Sequence, residues 1–321
     1  MSVLERRTPC PTTTAVVAVL LAASVMAAAC GSSGRSAKST RTSTSRSAQS
    51  SRPTSRPTSN EGQAVTAFGQ LERQYGATLG VYALDTGTGT TVTYHADQRF
   101  AFCSTYKALA AGVLLGRDTD AQLTSVITYS SSDLQAYSPI TSQHVATGMS
   151  LDAVISAALQ YSDNTAANLL LAQMGGPSGL QRDLRRIGDE TTNVDRDEPA
   201  VNTATPGDLR DTSTARALAT DLRRFALGRL LTPARTQHLI EQLRGNTTGG
   251  PLIRAGVPAG WVVGDKTGTG DYGTHNDIAV VWPPHGDPIV IALLSNRSEQ
   301  NSTSQDALLA DVTKVIVADI G

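Results

Sequence analysis

The sequence predicts an α/β chain of the α+β kind, with one antiparallel sheet built from both chain ends, flanked by helices, and an all-helical subdomain inserted between them. Three observations predict it. Strand-like runs lie near residue 80 and again beyond residue 260, helical periodicity dominates residues 104–211, and one long stretch after residue 194 has no periodicity at all.

The first sixty residues are expected to lie outside that fold. Arg6 and Arg7 precede an apolar run from Ala15 to Ala29 that ends at Cys30. The run is shorter than the roughly 20 residues of a membrane span, so it reads as a secretory signal. Met26-Ala27-Ala28-Ala29-Cys30-Gly31 resembles a bacterial lipoprotein cleavage box, with Ala27 where a larger aliphatic residue is usual. Cys30 is therefore the expected lipidation site, and its lipid the expected membrane anchor. Residues 31–60 are Ser, Thr, Arg and Pro with almost nothing apolar. Such a segment cannot bury enough surface to offset its ordering entropy and is expected to be a disordered tether. The expected divisions are 1–30, 31–60 and 61–321, the last with a sheet part (61–100 and 212–321) and a helical part (101–211).

Charge follows the same division. Of the 27 Lys and Arg, eight lie in residues 1–60, where Glu5 is the only acid; residues 61–321 hold the other 19 against 27 Asp and Glu. A basic tether beneath an acidic globule suits an anionic envelope surface and argues against nucleic acid as a partner. The protein is expected to be exported, as an envelope lipoprotein or secreted, and monomeric. Cys103 is the one cysteine after residue 60, which leaves it no disulfide partner there; it is expected to be a buried small hydrophobe.

Within 61–321, Val65, Phe68, Leu71 and Tyr75 give helical spacing over Glu61–Tyr75. Thr78–Leu84 and Thr90–Tyr94, joined by Asp85-Thr86-Gly87-Thr88-Gly89, read as a hairpin. Helices are expected at Ala108–Leu115, Ser150–Gln160 and Thr165–Met174. Asp195–Asp211, with Pro199, Pro206 and Gly207, is expected to be a long functional loop. Helices resume at Thr212–Leu227 and Pro233–Leu243. Strands follow at Trp261–Asp265, Asp277–Trp282 and Pro288–Leu294, and the helix Ser304–Ile320 comes last.

Four short stretches carry chemistry. Ser104-Thr105-Tyr106-Lys107 places a hydroxyl at a helix start, where free N–H groups favour developing negative charge. Lys107 lies on the same face one turn later, placed to activate the hydroxyl. A capping serine followed by a surface lysine has the same pattern. Lysine usage favours the chemical reading. The chain has 23 Arg and four Lys, and Lys107 and Lys266 both fall in these stretches; a lysine can lose its proton where an arginine cannot.

Ser162-Asp163-Asn164 offers a proton relay at Ser162 and an amide donor and acceptor at Asn164, although all three residues are also ordinary helix caps. Lys266-Thr267-Gly268-Thr269-Gly270 follows a strand, and its glycines are expected to let a ligand approach the backbone. The N–H groups of Thr269 and Ser104 are expected to form an oxyanion hole. Glu198, on the long loop with Asn202, is placed to hold and activate water, while Arg196 and Asp211 are expected to pair across the loop's neck. The five histidines, His95, His144, His238, His275 and His285, have no metal-ligand spacing, so neither metal nor cofactor is expected.

Over residues 61–321 these stretches, together with Phe102-Cys103, Thr165-Ala166-Ala167-Asn168-Leu169-Leu170 and Asp271-Tyr272-Gly273-Thr274, resemble the class A serine β-lactamases. The resemblance implies the serine β-lactamase/D,D-peptidase-like fold and hydrolysis of β-lactam antibiotics. Ser104 would be acylated and Lys107 and Glu198 would share the general-base work. Ser162 would protonate the β-lactam nitrogen, and Glu198 with Asn202 would activate the deacylating water. Lys266, Thr267 and Thr269 would face the substrate carboxylate, beside Gly268 and Asn164. Asp133-Leu134-Gln135-Ala136-Tyr137-Ser138-Pro139 resembles the family's entrance loop, so Tyr137 would line the mouth.

The family usually supplies an arginine near the substrate carboxylate, where His275 stands here; Arg254 and Arg297 are candidates to compensate. If His275 fills the role, substrate binding is expected to tighten below about pH 6.5, its ordinary value. The stretch Gly270-Asp271-Tyr272-Gly273 resembles members active on oxyimino-cephalosporins. Gly270 stands where carbapenem-hydrolysing members place a cysteine to pair with the equivalent of Cys103, which argues against that activity. Two alternatives share part of the pattern: a penicillin-binding D,D-peptidase, which needs no Glu198, and a tethered penicillin sensor, for which no further membrane segment is visible after residue 60.

Overall fold

The computed structural model describes residues 59–320; the expectations for the signal, the tether and Cys30 lie outside the described residues. In chain order, α1 (Ser59–Tyr75) leads into β1 (Thr78–Asp85), β2 (Thr91–Tyr94), β3 (Arg99–Ala101) and a 3-10 turn at Cys103–Thr105. The turn runs into α2 (Tyr106–Arg117). Next come α3 (Asp120–Thr124), β4 (Val126–Ile127), β5 (Met149–Ser150), α4 (Leu151–Gln160), α5 (Asn164–Met174) and α6 (Pro177–Arg186). Beyond the long loop lie β6 (Thr212–Thr214), α7 (Ala215–Ala226), α8 (Pro233–Arg244), α9 (Ile253–Gly256), β7 (Val262–Gly270), β8 (Thr274–Trp282), β9 (Ile289–Asn296) and α10 (Asp306–Ile320).

The main sheet has the order β2-β1-β9-β8-β7, antiparallel throughout. Its centre joins the two ends of the chain, with Val81 of β1 opposite Leu293 of β9. Successive side chains on a strand point to opposite faces, and both faces here are buried. Leu79, Val81, Ala83, Ile291 and Leu293 pack with Phe68 of α1 and Leu309, Val312 and Ile316 of α10. Tyr82, Leu84, Val290, Ala292 and Leu294 pack on the other side with Leu218 and Leu222 of α7. That second cluster continues without a break into α2, α4, α5 and α6, so the helical region rests on the sheet through a shared core.

Helix starts follow ordinary capping chemistry. Ser150 Oγ accepts from Ala153 N at 3.1 Å, Asp163 Oδ1 from Ala166 N at 2.9 Å and Thr214 Oγ1 from Ala217 N at 3.1 Å.

The structure departs from the sequence expectation at several places. Thr212–Thr214 is not the start of α7 but a strand, paired with Arg99–Ala101; three residues are too few to show a period of two. The Lys266–Gly270 stretch does not follow a strand but lies inside β7, where Gly270 pairs with Thr274. The strand's apolar run stops before Asp265 while the hydrogen-bond ladder goes on to Gly270. Helix α6 begins with Pro177 at its first turn, a position where proline's missing N–H costs nothing.

Helix packing depends on one small residue. A Cβ placed on Gly112 of α2 would lie 2.6 Å from the ring of Phe225 on α7. Glycine to alanine normally stabilises a helix by about 1 kcal/mol. Here Gly112→Ala is expected to destabilise the protein by about 1–3 kcal/mol through overpacking, read as a lower Tm in thermal unfolding. An unchanged or raised Tm contradicts the packing.

Candidate active site

Ser104 lies in the 3-10 turn ahead of α2, on a backbone turned by Cys103 at φ 47°. Its Oγ donates to Glu198 Oε1 at 3.3 Å. Lys107, one turn on, is fully buried. Its Nζ does not hydrogen-bond Ser104 as the i, i+3 spacing suggested. It donates instead to Ser162 O at 2.9 Å and Asn164 Oδ1 at 2.8 Å, and stands 3.0 Å from Glu198 Oε1. Burial pushes the Lys107 amine below its ordinary value, while the Glu198 charge pulls it back up.

Glu198 is held on every side. Asn202 Nδ2 donates to Glu198 Oε2. Asn168 Oδ1 accepts from Glu198 N at 2.8 Å, and Asn168 Nδ2 donates to Glu198 O at 2.9 Å. The expected clamp is present. Arg196 Nε meets Asp211 Oδ2 at 2.5 Å, and Asp211 Oδ1 accepts from the N–H groups of Asp195 and Arg196 at 2.8 and 2.9 Å.

Ser162 sits before α5 at φ 58°. Its hydroxyl lies between two lysines, accepting from Lys266 Nζ at 3.0 Å and from Lys107 Nζ at 3.5 Å. The Lys266 amine is lowered to about 7, first by burial and then by the Lys107 charge. The entrance loop is stitched to the same turn. Tyr137 O accepts from Asn164 N at 3.0 Å, and Ala136 O from Asn164 Nδ2 at 2.9 Å. Tyr137 itself is exposed.

The glycines of β7 correct one expectation. A Cβ on Gly268 would lie 2.7 Å from Phe102 O, and one on Gly270 would lie 2.6 Å from Asn202 O and 2.7 Å from Cys103 Sγ. They admit the protein's own Ser104 turn and Glu198 loop rather than only a ligand. Cys103 is buried as expected, its thiol pushed up by burial.

Above this polar floor opens a cavity of about 360 Å3 lined by Ser104, Tyr137, Ser162, Asn164, Asn202, Thr248, Thr267, Gly268, Thr269 and His275. Lys107, Glu198 and Lys266 lie buried beneath it. Three positioning residues were absent from the sequence candidates. Asn168 brackets the Glu198 backbone, Thr248 Oγ1 lies 2.6 Å from Thr267 Oγ1, and Asn276 Nδ2 binds Ala101 O at 2.8 Å and Phe102 O at 3.2 Å. Local spacing carries no trace of the first, whose partner is thirty residues away. Among the described residues no group of three or more His, Cys, Asp or Glu is placed to hold a metal.

His275 faces the cavity from β8, opposite Thr269. Its Nδ1 lies 3.3 Å from Thr269 Oγ1, and its Nε2 lies 3.0 Å from Asp306 Oδ1 at the start of α10, off the line of a good hydrogen bond. Burial lowers the imidazole's proton affinity, and Asp306 restores only part of it. The charge expected below about pH 6.5 is thus displaced to lower pH. Arg254 does not compensate, because its Nε is committed to Asp265 at 2.7 Å. Arg297 donates to Gly273 O at 3.0 Å, close enough to His275 to disfavour its charge.

Comparisons with known proteins give the family and the fold. Residues 63–320 match the model of the β-lactamase enzyme family. A β-lactamase of Amycolatopsis lactamdurans is 56% identical over 254 residues, 79% of this chain and 84% of that protein. One from Bacillus subtilis strain 168 is 52% identical over 253 residues, 79% and 83% of the two chains. The crystal structure of a class A β-lactamase from Clostridium kluyveri superimposes with a TM-score of 0.80 at 48% identity, covering 80% of this chain and 98% of that one. A turn-borne serine over a buried Lys–Glu pair, and matches over nearly the whole described chain, lead to one conclusion: the chain belongs to the β-lactamase enzyme family and has the class A fold.

Proposed function

We propose that the chain opens the β-lactam amide of penicillins and cephalosporins through an acyl-enzyme on Ser104, and that water activated by Glu198 releases it. The observation that carries this reading is the placement of Glu198: one carboxylate oxygen faces both Ser104 Oγ and Lys107 Nζ, the other faces Asn202. A D,D-peptidase needs acylation but no such carboxylate.

In acylation, the Ser104 hydroxyl proton passes to Glu198 Oε1, with Lys107 sharing the base work, as Oγ attacks the carbonyl carbon. The developing oxyanion is received by the N–H groups of Ser104 and Thr269, on a turn and a strand that pack together. As the C–N bond breaks, Ser162 gives its proton to the nitrogen and is reprotonated by Lys107, which in turn takes up the proton held by Glu198, so that Glu198 is a carboxylate again before deacylation. In deacylation, Glu198 takes a proton from water, the resulting hydroxide attacks the ester, and Ser104 leaves with a proton. Asn202 Oδ1 is buried with no protein donor among the described residues, and is free to accept from that water. Lys266, Thr267, Thr269 and Asn164 would hold the substrate's carboxylate and amide. Export, lipidation at Cys30, a monomeric state and a role in β-lactam resistance belong to the same proposal.

Glu198→Ala is expected to slow deacylation by about 10²–10⁴-fold. Intact mass after mixing with nitrocefin would then show an adduct on Ser104 that persists. Wild-type deacylation in this variant sinks the assignment.

Carboxylate binding is expected to rest on Lys266 at neutral pH. An amine lowered to about 7 keeps its charge below that value and loses it above, so KM should rise as pH passes through about 7 and stay flat in Lys266→Arg. His275, largely neutral already at about pH 7, should tolerate replacement: His275→Ala is expected to keep KM within about twofold there. A tenfold rise at that pH would show that His275, not Lys266, is the clamp.

A further inference from the structure

The loop that carries Glu198 starts at a pair of carboxyls with no assigned role. Asp189 follows α6 and Asp221 lies on α7; they are 3% and 1% exposed. Both carboxyls line one cavity of about 240 Å3, close enough for each to act on the other's proton affinity. Asp189 Oδ1 accepts from Thr191 N at 2.7 Å and Thr192 N at 3.0 Å, and so shapes the first turn of the loop. Asp221 Oδ1 receives Arg224 Nη1 at 3.2 Å. The remaining oxygen of each, Asp189 Oδ2 and Asp221 Oδ2, is buried without a donor from the protein.

Two ionised carboxylates this close repel, and each buried lone oxygen carries a desolvation cost. A single proton between them removes both penalties. The nearby charges do not offer another remedy. Arg216 is paired with Asp97 at 2.7 Å, and Arg185 donates to Asp189 O and Thr192 O and stands 3.7 Å from Glu190. Arg99 is bound to Thr191 O and Thr212. Arg224 alone reaches the pair, and only on the Asp221 oxygen that is not orphaned.

We propose that Asp189 and Asp221 share one proton and that this acid pair is a positioning device, holding the start of the 189–211 loop so that Glu198 stays over Ser104. The positioning half rests on the role given to Glu198 above. Geometry links the pair to that residue. Thr192 is bonded on one side to Asp189 and on the other through its hydroxyl to Ser213 at 2.7 Å, and Asn193 N donates to Thr212 O at 2.9 Å, closing the neck below the Arg196–Asp211 clamp. Loss of the shared proton would leave two adjacent negative charges at this neck. Burial and the Asp189 charge hold the Asp221 proton up to about 8, against 3.8 for an ordinary aspartate. The stability that the pair contributes is therefore full below about 3.8 and lost as pH rises through about 8.

The test uses the full chain, wild type beside Asp221→Asn and Asp221→Thr, which keep a neutral donor towards Asp189 but cannot ionise. Denaturant unfolding is measured between about pH 4 and about pH 9.5, where the pair's titration falls. Wild type should lose stability relative to both variants across this range and level off above about 8. Decay of a preformed acyl-enzyme, which bypasses lysine titration during acylation, should slow several-fold in wild type above about pH 8 and not in the variants. Should Asp221→Asn fail to fold, Asp221→Thr carries the comparison. A stability difference independent of pH overturns the shared proton. Equal alkaline decay in wild type and variants overturns the positioning role. Normal decay in Glu198→Ala overturns the reading of Glu198 and with it the positioning role, while the stability profile still judges the pair by itself.

Discussion

A lysine amine and a glutamate carboxylate meet 3.0 Å apart at Lys107 and Glu198, and neither side chain reaches solvent. Taking two charges out of water costs several kcal/mol per ion, and their attraction offsets this only when the leftover hydrogen-bonding capacity is also satisfied. The surroundings of the pair do that. Ser162 O and Asn164 Oδ1 complete the ammonium, and Ser104 Oγ and Asn202 Nδ2 complete the carboxylate. These partners come from the turn before α2, the turn before α5 and the long loop. The pair is stable only when all three are in place, and all three then line one cavity.

The rest of the fold can be understood as support for that meeting. The sheet joins both chain ends and presents β7 beside the Ser104 turn, at a distance only Gly268 and Gly270 allow. Asn276 ties the neighbouring strand to the carbonyls just before Cys103. The loop is fixed at its neck by Arg196–Asp211 and at its middle by Asn168, which binds both backbone groups of Glu198. Sites on loops are less precise than sites on helices or strands, and here Glu198 is held at both backbone groups and at both carboxylate oxygens.

Much of the site was legible because its chemistry is local. Ser104 with Lys107, Ser162 with Asn164, and Glu198 with Asn202 each sit within four residues of one another, and helical or turn spacing brings such neighbours together. The roles that escaped depend on distance in sequence. Asn168 and Thr248 act on backbone or hydroxyl groups far along the chain. The strand Thr212–Thr214 exists only because Arg99–Ala101 lies beside it. The partner of Lys107 was likewise settled by tertiary packing: spacing pointed to Ser104, while the folded chain gives the amine to Ser162, Asn164 and Glu198. For His275 the position was legible and the charge was not, since burial is a property of the folded state.

The dependence of this site on the buried pair is tested most directly by following Lys107 itself. Side-chain nitrogen NMR on the full chain, compared with Glu198→Gln, reports where the amine loses its proton. The account predicts titration below the ordinary 10.5 in the wild type, because burial dominates, and a further drop in Glu198→Gln, because the carboxylate charge that supports the ammonium is gone. Titration at or above 10.5, or a value that Glu198→Gln leaves unchanged, would contradict it.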